Sequence, residues 1–131
     1  MGFVKRLSLQ PRFWWLLLIG WSSLIWVLAT RQSVPTSGDI RLDYVWRQGG
    51  HALLHTILTM LALRAGKCTW RPSQGAVFAL IFSIGHAVMD EMIQVYVPGR
   101  SANFEDVITN LIGVLFGLLI VQIWKPSLKW I

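Results

Sequence analysis

Four apolar runs fill most of this 131-residue chain, at about 13–30, 48–63, 76–97 and 104–124, and they predict a membrane protein rather than a soluble one. In hydrocarbon a backbone has to satisfy its own polar groups, which a helix does within one segment. Each run therefore predicts a membrane-crossing helix, since roughly 20 apolar residues cover about 30 Å of bilayer core. The run at 48–63 is short for that thickness and predicts help from flanking residues or local thinning. Composition agrees, with 54% hydrophobic and only 14% charged residues. The expectation is an all-α, four-helix transmembrane bundle forming a single domain over 1–131.

Orientation follows from the basic residues, because cytoplasmic loops carry the excess of Lys and Arg. Lys5, Arg6 and Arg12 precede the first run, Arg64, Lys67 and Arg71 lie between the second and third, and Lys125 and Lys129 follow the fourth. On the other side Arg31, Arg41, Arg47 and Arg100 are mixed with Asp39, Asp43, Glu105 and Asp106. Both termini are expected in the cytoplasm. The net charge of +6 then reflects topology and contact with anionic headgroups of membrane lipids, not a nucleic-acid partner.

The first run begins with Phe13-Trp14-Trp15, an interfacial aromatic cluster, and from Leu16 to Ala29 holds only Ser22 and Ser23 as polar content. A basic start and Val27-Leu28-Ala29 resemble a cleavable signal peptide, but the length of the run favours a retained anchor. Thr30–Val45, with Pro35 and Gly38, is expected as a polar loop. Cys68 is expected in the cytoplasmic loop, and as the single cysteine it allows no disulfide within the chain.

The stretch from Asp90 to Gly113 carries four of the six acidic residues, between two runs expected to cross the bilayer. Ionisable groups at membrane depth cost roughly 2.5–3.5 kcal/mol each on insertion scales, so they mark a working site. On a helix Asp90 and Gln94 share one face and Glu91 reaches Gln94 at i+3. Pro98-Gly99 ends that helix. In the next helix Asp106, Asn110, Gly113 and Gly117 form a stripe roughly 60° wide, polar at one end and open to close helix approach at the other. Arg47, His51 and His55 fall on one face of the second run, and His86 lies four residues before Asp90. With the expected topology, Arg47, His51, Glu91, Gln94, Arg100, Asp106 and Asn110 converge on the extracytoplasmic side, while His55 and His86 lie deeper.

Asp90-Glu91-x-x-Gln94, Pro98-Gly99-Arg100-Ser101, Asp106-x-x-x-Asn110-x-x-Gly113-x-x-x-Gly117 and Arg47-x-x-x-His51 together resemble the VanZ-like membrane proteins. The likeness covers roughly Arg47 to Gly117. Gln48 stands where that family's pattern has Lys, and His55 where it has an aromatic residue. The family takes its name from a protein linked to teicoplanin resistance. The resemblance thus implies a multi-pass protein of the bacterial cytoplasmic membrane with a role at the cell envelope.

A carboxylate, an imidazole and arginines beside headgroups are the parts needed to clamp an anion and move a proton. Glu91, His51 and Asp106 are the expected catalytic residues, with Glu91 or His51 as general base and Asp106 orienting. Arg47, Arg100, Gln94 and Asn110 are the expected ligand-binding residues. The ligand would be an anionic lipid-linked envelope precursor, a cell-wall-related molecule or a glycopeptide. The same groups also suit a binding or scaffold protein whose polar residues tie helices together. His51, His55, His86 and Asp90 have metal-ligand types and spacing, but no metal-protease motif is present, and neither metal nor other cofactor is expected.

Overall fold

The computed structural model describes residues 10–31, 37–100 and 102–124. Lys5, Arg6, Pro35, Ser101, Lys125 and Lys129 lie outside the described residues. Four helices account for nearly all of the rest: α1 (Pro11–Ala29), α2 (Ile40–Thr69), α3 (Pro72–Val95) and α4 (Phe104–Trp124). No strand occurs among the described residues.

Their ends follow from local chemistry. Pro11 and Pro72 open α1 and α3, where a missing N–H costs nothing. Asp39 caps α2, its Oδ1 accepting from the N–H groups of Arg41 at 2.9 Å and Leu42 at 3.4 Å. Gly38, at φ 85°, turns the chain into that cap. α3 stops at Val95, ahead of Pro98, and Gly99 takes φ 82° in the reversal. Asn103 Oδ1 accepts from the Glu105 N–H at 3.2 Å, and Glu105 and Asp106 in the first turn complement the positive end of the α4 dipole.

α1, α3 and α4 are each long and apolar enough to cross a membrane. α2 is more polar, and its 30 residues cover about 45 Å at 1.5 Å per residue. It is the central helix, packed against all three others and most extensively against α4 and α3. Close contacts fix the register. Gly66 against Gly75, His55 against His86 and His51 against Asp90 run α2 and α3 antiparallel. Ala52 against Gly113 and Thr56 against Gly117 run α2 and α4 parallel. Thr56, Thr59 and Thr69 each return their hydroxyl to the carbonyl four residues back, at 2.7, 2.8 and 2.8 Å, so these hydroxyls are satisfied within α2.

The outer surface is apolar and the interior is not. Leu16, Ile19, Ile81, Leu115 and Ile123 are exposed, whereas Gln94, Asp90, Asp106 and Asn110 are at most 2% accessible. That inversion is the arrangement expected in lipid.

Three boundaries differ from the sequence reading. The polar loop at 30–45 gives way to helix from Ile40, because Asp39 and Gly38 supply a start signal upstream of the apolar run. The second run is consequently the middle of a long helix, not a short span. Cys68 and the basic residues Arg64 and Lys67 lie on the last turns of α2 rather than in a loop, which shrinks to Trp70 and Arg71. α3 covers Pro72–Val95, shifted about one turn towards the N-terminus from the expected 76–97.

Candidate functional site

At the end of the bundle where α2 and α4 begin and α3 finishes, three helices direct polar groups towards one another. From α4, Asp106 is 2% accessible and its Oδ1 accepts from Gln48 Nε2 at 2.6 Å. Arg47 Nη2 lies 3.8 Å from the same oxygen, a loose ion pair with the Arg47 side chain about one-third exposed. Gln48 also accepts from the Thr109 hydroxyl, so its amide is fixed from both sides.

One turn further along, Asn110 is fully buried and its Nδ2 donates to the Ala87 carbonyl on α3 at 3.4 Å. That bond turns Oδ1 towards His51 Nδ1, 2.9 Å away. An oxygen in that position accepts only from a protonated nitrogen, which assigns the proton of neutral His51 to Nδ1 and leaves the lone pair on Nε2. Asp90 Oδ2 lies 3.7 Å from His51 Nδ1, while Asp90 Oδ1 is buried with no partner among the described residues.

Glu91 is held from two directions. Gln94 Nε2 donates to Oε1 at 3.2 Å, the i+3 contact read from the sequence, and the Asn103 N–H donates to Oε2 at 3.4 Å. One nitrogen of His51 and one oxygen each of Glu91 and Asp106 all lie within 4.8 Å of one another.

Arg100 reaches this end of the bundle from the turn after α3. Its Nη2 donates to the Leu28 carbonyl near the end of α1 at 3.4 Å, although Asp90 and Glu91 remain within its electrostatic reach. The Nε atoms of Arg100 and of Arg47 are both buried without a partner among the described residues.

Deeper in the bundle, His55 turns Nδ1 back to the His51 carbonyl at 3.1 Å and presents its ring edge-on to His86, with centroids 5.7 Å apart. His86 stacks on Trp26 at 5.2 Å and 11°. Its two ring nitrogens have no hydrogen bond, the Ser22 backbone lying beside it without a bonding geometry. The metal set read from spacing thus divides into a deep pair, His55 and His86, and an outer pair, His51 and Asp90. Glu91 and Asp106, not His55 and His86, complete the close cluster around His51.

All seven residues expected to converge are at this end of the fold. Gln48 and Thr109 join them, and sequence reasoning had assigned neither a place in the cluster. Gln48 had a signal in its position three residues before His51, which puts it on the same face.

The fold and this interior define a polytopic helical membrane protein with a buried polar cluster at one end of the bundle. A family model described as VanZ/LLP1 matches residues 3–125. The chain belongs to the VanZ family. No curated protein matches it, and no solved structure does.

Proposed function

We propose that this VanZ-family protein binds, and acts on, an anionic lipid-linked or cell-wall-related molecule at the extracytoplasmic face of the bacterial cytoplasmic membrane. In this reading all four helices cross the bilayer as one unit and both termini are cytoplasmic. The observation that carries it is the pair of arginines with unspent donors. Arg47 and Arg100 each keep a buried, unpartnered Nε, and Arg47 holds its carboxylate only at 3.8 Å. A planar guanidinium with free N–H groups at a headgroup level fits a phosphate or carboxylate.

Beneath them, His51 with its Nε2 lone pair or Glu91 with its carboxylate accepts a proton, and Asp106 supplies the adjacent negative charge. Gln94 and Asn110 set the orientation of Glu91 and His51 through the bonds described above. A consequence at the envelope would be altered susceptibility to glycopeptides.

A second reading has its own support. The bonds Gln48–Asp106, Asn110–Ala87 and Asn103–Glu91 each bridge different segments, as in a scaffold whose cluster holds helices together without turnover. Profiling lipids and envelope precursors in membranes carrying wild type, Glu91→Gln or no protein separates the two. Glu91→Gln keeps size and hydrogen-bonding capacity but not the charge. The active reading expects the mutant profile to match the membranes lacking the protein, with the mutant accumulating normally. A wild-type profile in the mutant would leave the scaffold.

A further inference from the structure

The cluster contains one carboxylate more than its arginines balance, with Asp90, Glu91 and Asp106 set against Arg47 and Arg100. All three carboxylates are at most 4% accessible. Burying an uncompensated charge costs several kcal/mol even after relaxation. A neutral His51, fixed as the Nδ1–H tautomer by Asn110, supplies no balancing charge.

We propose that His51, Glu91 and Asp106 bind a divalent transition cation of the Mn²⁺ or Zn²⁺ class. Three side chains on three helices bring ligand atoms within 4.8 Å of one another. Ligands at about 2.0–2.2 Å from such an ion sit closer together than that, so binding would draw the three side chains inward. One imidazole and two carboxylates suit Mn²⁺ and Zn²⁺ better than softer ions that prefer thiolates.

The surroundings are those of metal ligands. Asn110 holds the non-ligating His51 nitrogen, Gln48 holds Oδ1 of Asp106 and leaves Oδ2, and Gln94 and Asn103 orient Glu91. Such partners fix ligand orientation in metal sites. Independently, Asp90, a residue 98% buried, has an Oδ1 with no partner among the described residues and an Oδ2 3.7 Å from His51 Nδ1, so it adds negative charge beside the site. Three protein ligands would leave coordination positions for water or an anionic ligand.

The inference deepens the anion-binding reading and rests on it for the ligand class. A cation beside two arginines selects phosphate or pyrophosphate oxygens over a lone carboxylate, and Glu91 and His51 then serve as ligands while Asp90 takes the role of proton acceptor.

The test uses the full chain purified in detergent, stripped with EDTA and then reloaded with MnCl₂ or ZnCl₂. Elemental analysis after removal of free ion should find about one equivalent bound, falling at least ~10-fold in His51→Gln and Asp106→Asn. His55→Ala, outside the triad, should keep it. The Mn²⁺ form should show nitrogen coupling in its pulsed paramagnetic resonance spectrum, lost in His51→Gln. An empty wild type, or full occupancy in both triad variants, overturns the site. Binding of the stripped protein to vesicles of anionic phospholipid is measured alongside. If the vesicles bind but no metal does, the metal proposal fails alone. If neither binds, both fail.

Discussion

Gly113 of α4 lies directly against the carbonyl of Ala52 on α2, and a methyl group at Gly113 would overlap that oxygen and come within 3.0 Å of the Ala52 Cα. The two backbones meet there, one turn below the Asn110–His51 bond. Gly113→Ala should separate the helices and cost about 1–3 kcal/mol, the usual range for overpacking. Gly85→Ala, on α3 with open space around the position, should be neutral or gain up to about 1 kcal/mol from helix propensity. Unfolding of both variants in mixed micelles checks the contrast. Equal stability would mean that α2 and α4 are not in contact at Gly113.

Asp43, on the first turn of α2 beyond its apolar part, accepts from the Ser37 N–H and Ser37 hydroxyl, each at 2.7 Å. These two bonds hold its carboxyl below the ordinary value of 3.8. Because the folded value is depressed, the contact contributes fully above pH 3.8 and is lost as pH falls through the lower folded value. The amide signal of Ser37 should therefore shift at a pH below 3.8 in the wild type and stay flat in Asp43→Asn. A Ser37 transition above that value would exclude these bonds.

His86 has two buried ring nitrogens without a hydrogen bond, yet its ring packs on Trp26 and Phe82. Phenylalanine keeps the ring contacts and removes the polar atoms, each worth about 1–3 kcal/mol when left unsatisfied. His86→Phe should raise stability by at least ~1 kcal/mol. A loss instead would show that bonded water occupies the space between His55 and His86.

Much of this geometry was legible because helical period fixes which spaced residues share a face. The stripe from Asp106 to Gly117 follows from residue numbers alone, as does the Glu91–Gln94 contact. Both lie in the structure where the period puts them. The start of α2 was hidden by charge. Arg41, Asp43 and Arg47 break the apolar signal, and the cap at Asp39 outweighs their weak propensities. The bond from Arg100 to Leu28 had no local signal, since it joins residues 72 positions apart and depends on how α1 docks. Likewise Glu91 and Asp106, not His55 and His86, surround His51, because His55 spends its Nδ1 on its own helix.

Topology gives a further expectation. Alkaline phosphatase fused after Gly38 or after Arg100 should be active, and fused after Trp70 it should be inactive, as the distribution of basic residues requires. The short turn at Trp70 and Arg71 lies at the opposite end of the bundle from the polar cluster. Activity at Trp70 combined with silence at Arg100 would place the cluster on the cytoplasmic side.

Arg100 separates structural from chemical roles within one side chain. Its only side-chain hydrogen bond among the described residues is the 3.4 Å contact to Leu28, and a long bond of that kind contributes about 1 kcal/mol or less. Lysine can donate to the same carbonyl and keeps the positive charge near Asp90 and Glu91, so Arg100→Lys should fold and insert as the wild type does. It loses the planar fork that grips two oxygens of one anion and the Nε now without a partner. Binding to vesicles of anionic phospholipid should therefore weaken by roughly 10-fold in Arg100→Lys, about 1.4 kcal/mol, while unfolding stays unchanged. Arg100→Gln should lose binding further, and some stability as well, because the two carboxylates then face one positive charge fewer. If Arg100→Lys binds like the wild type and only Arg100→Gln fails, charge balance is the whole contribution of Arg100, and Arg47 is left as the sole guanidinium gripping the anion.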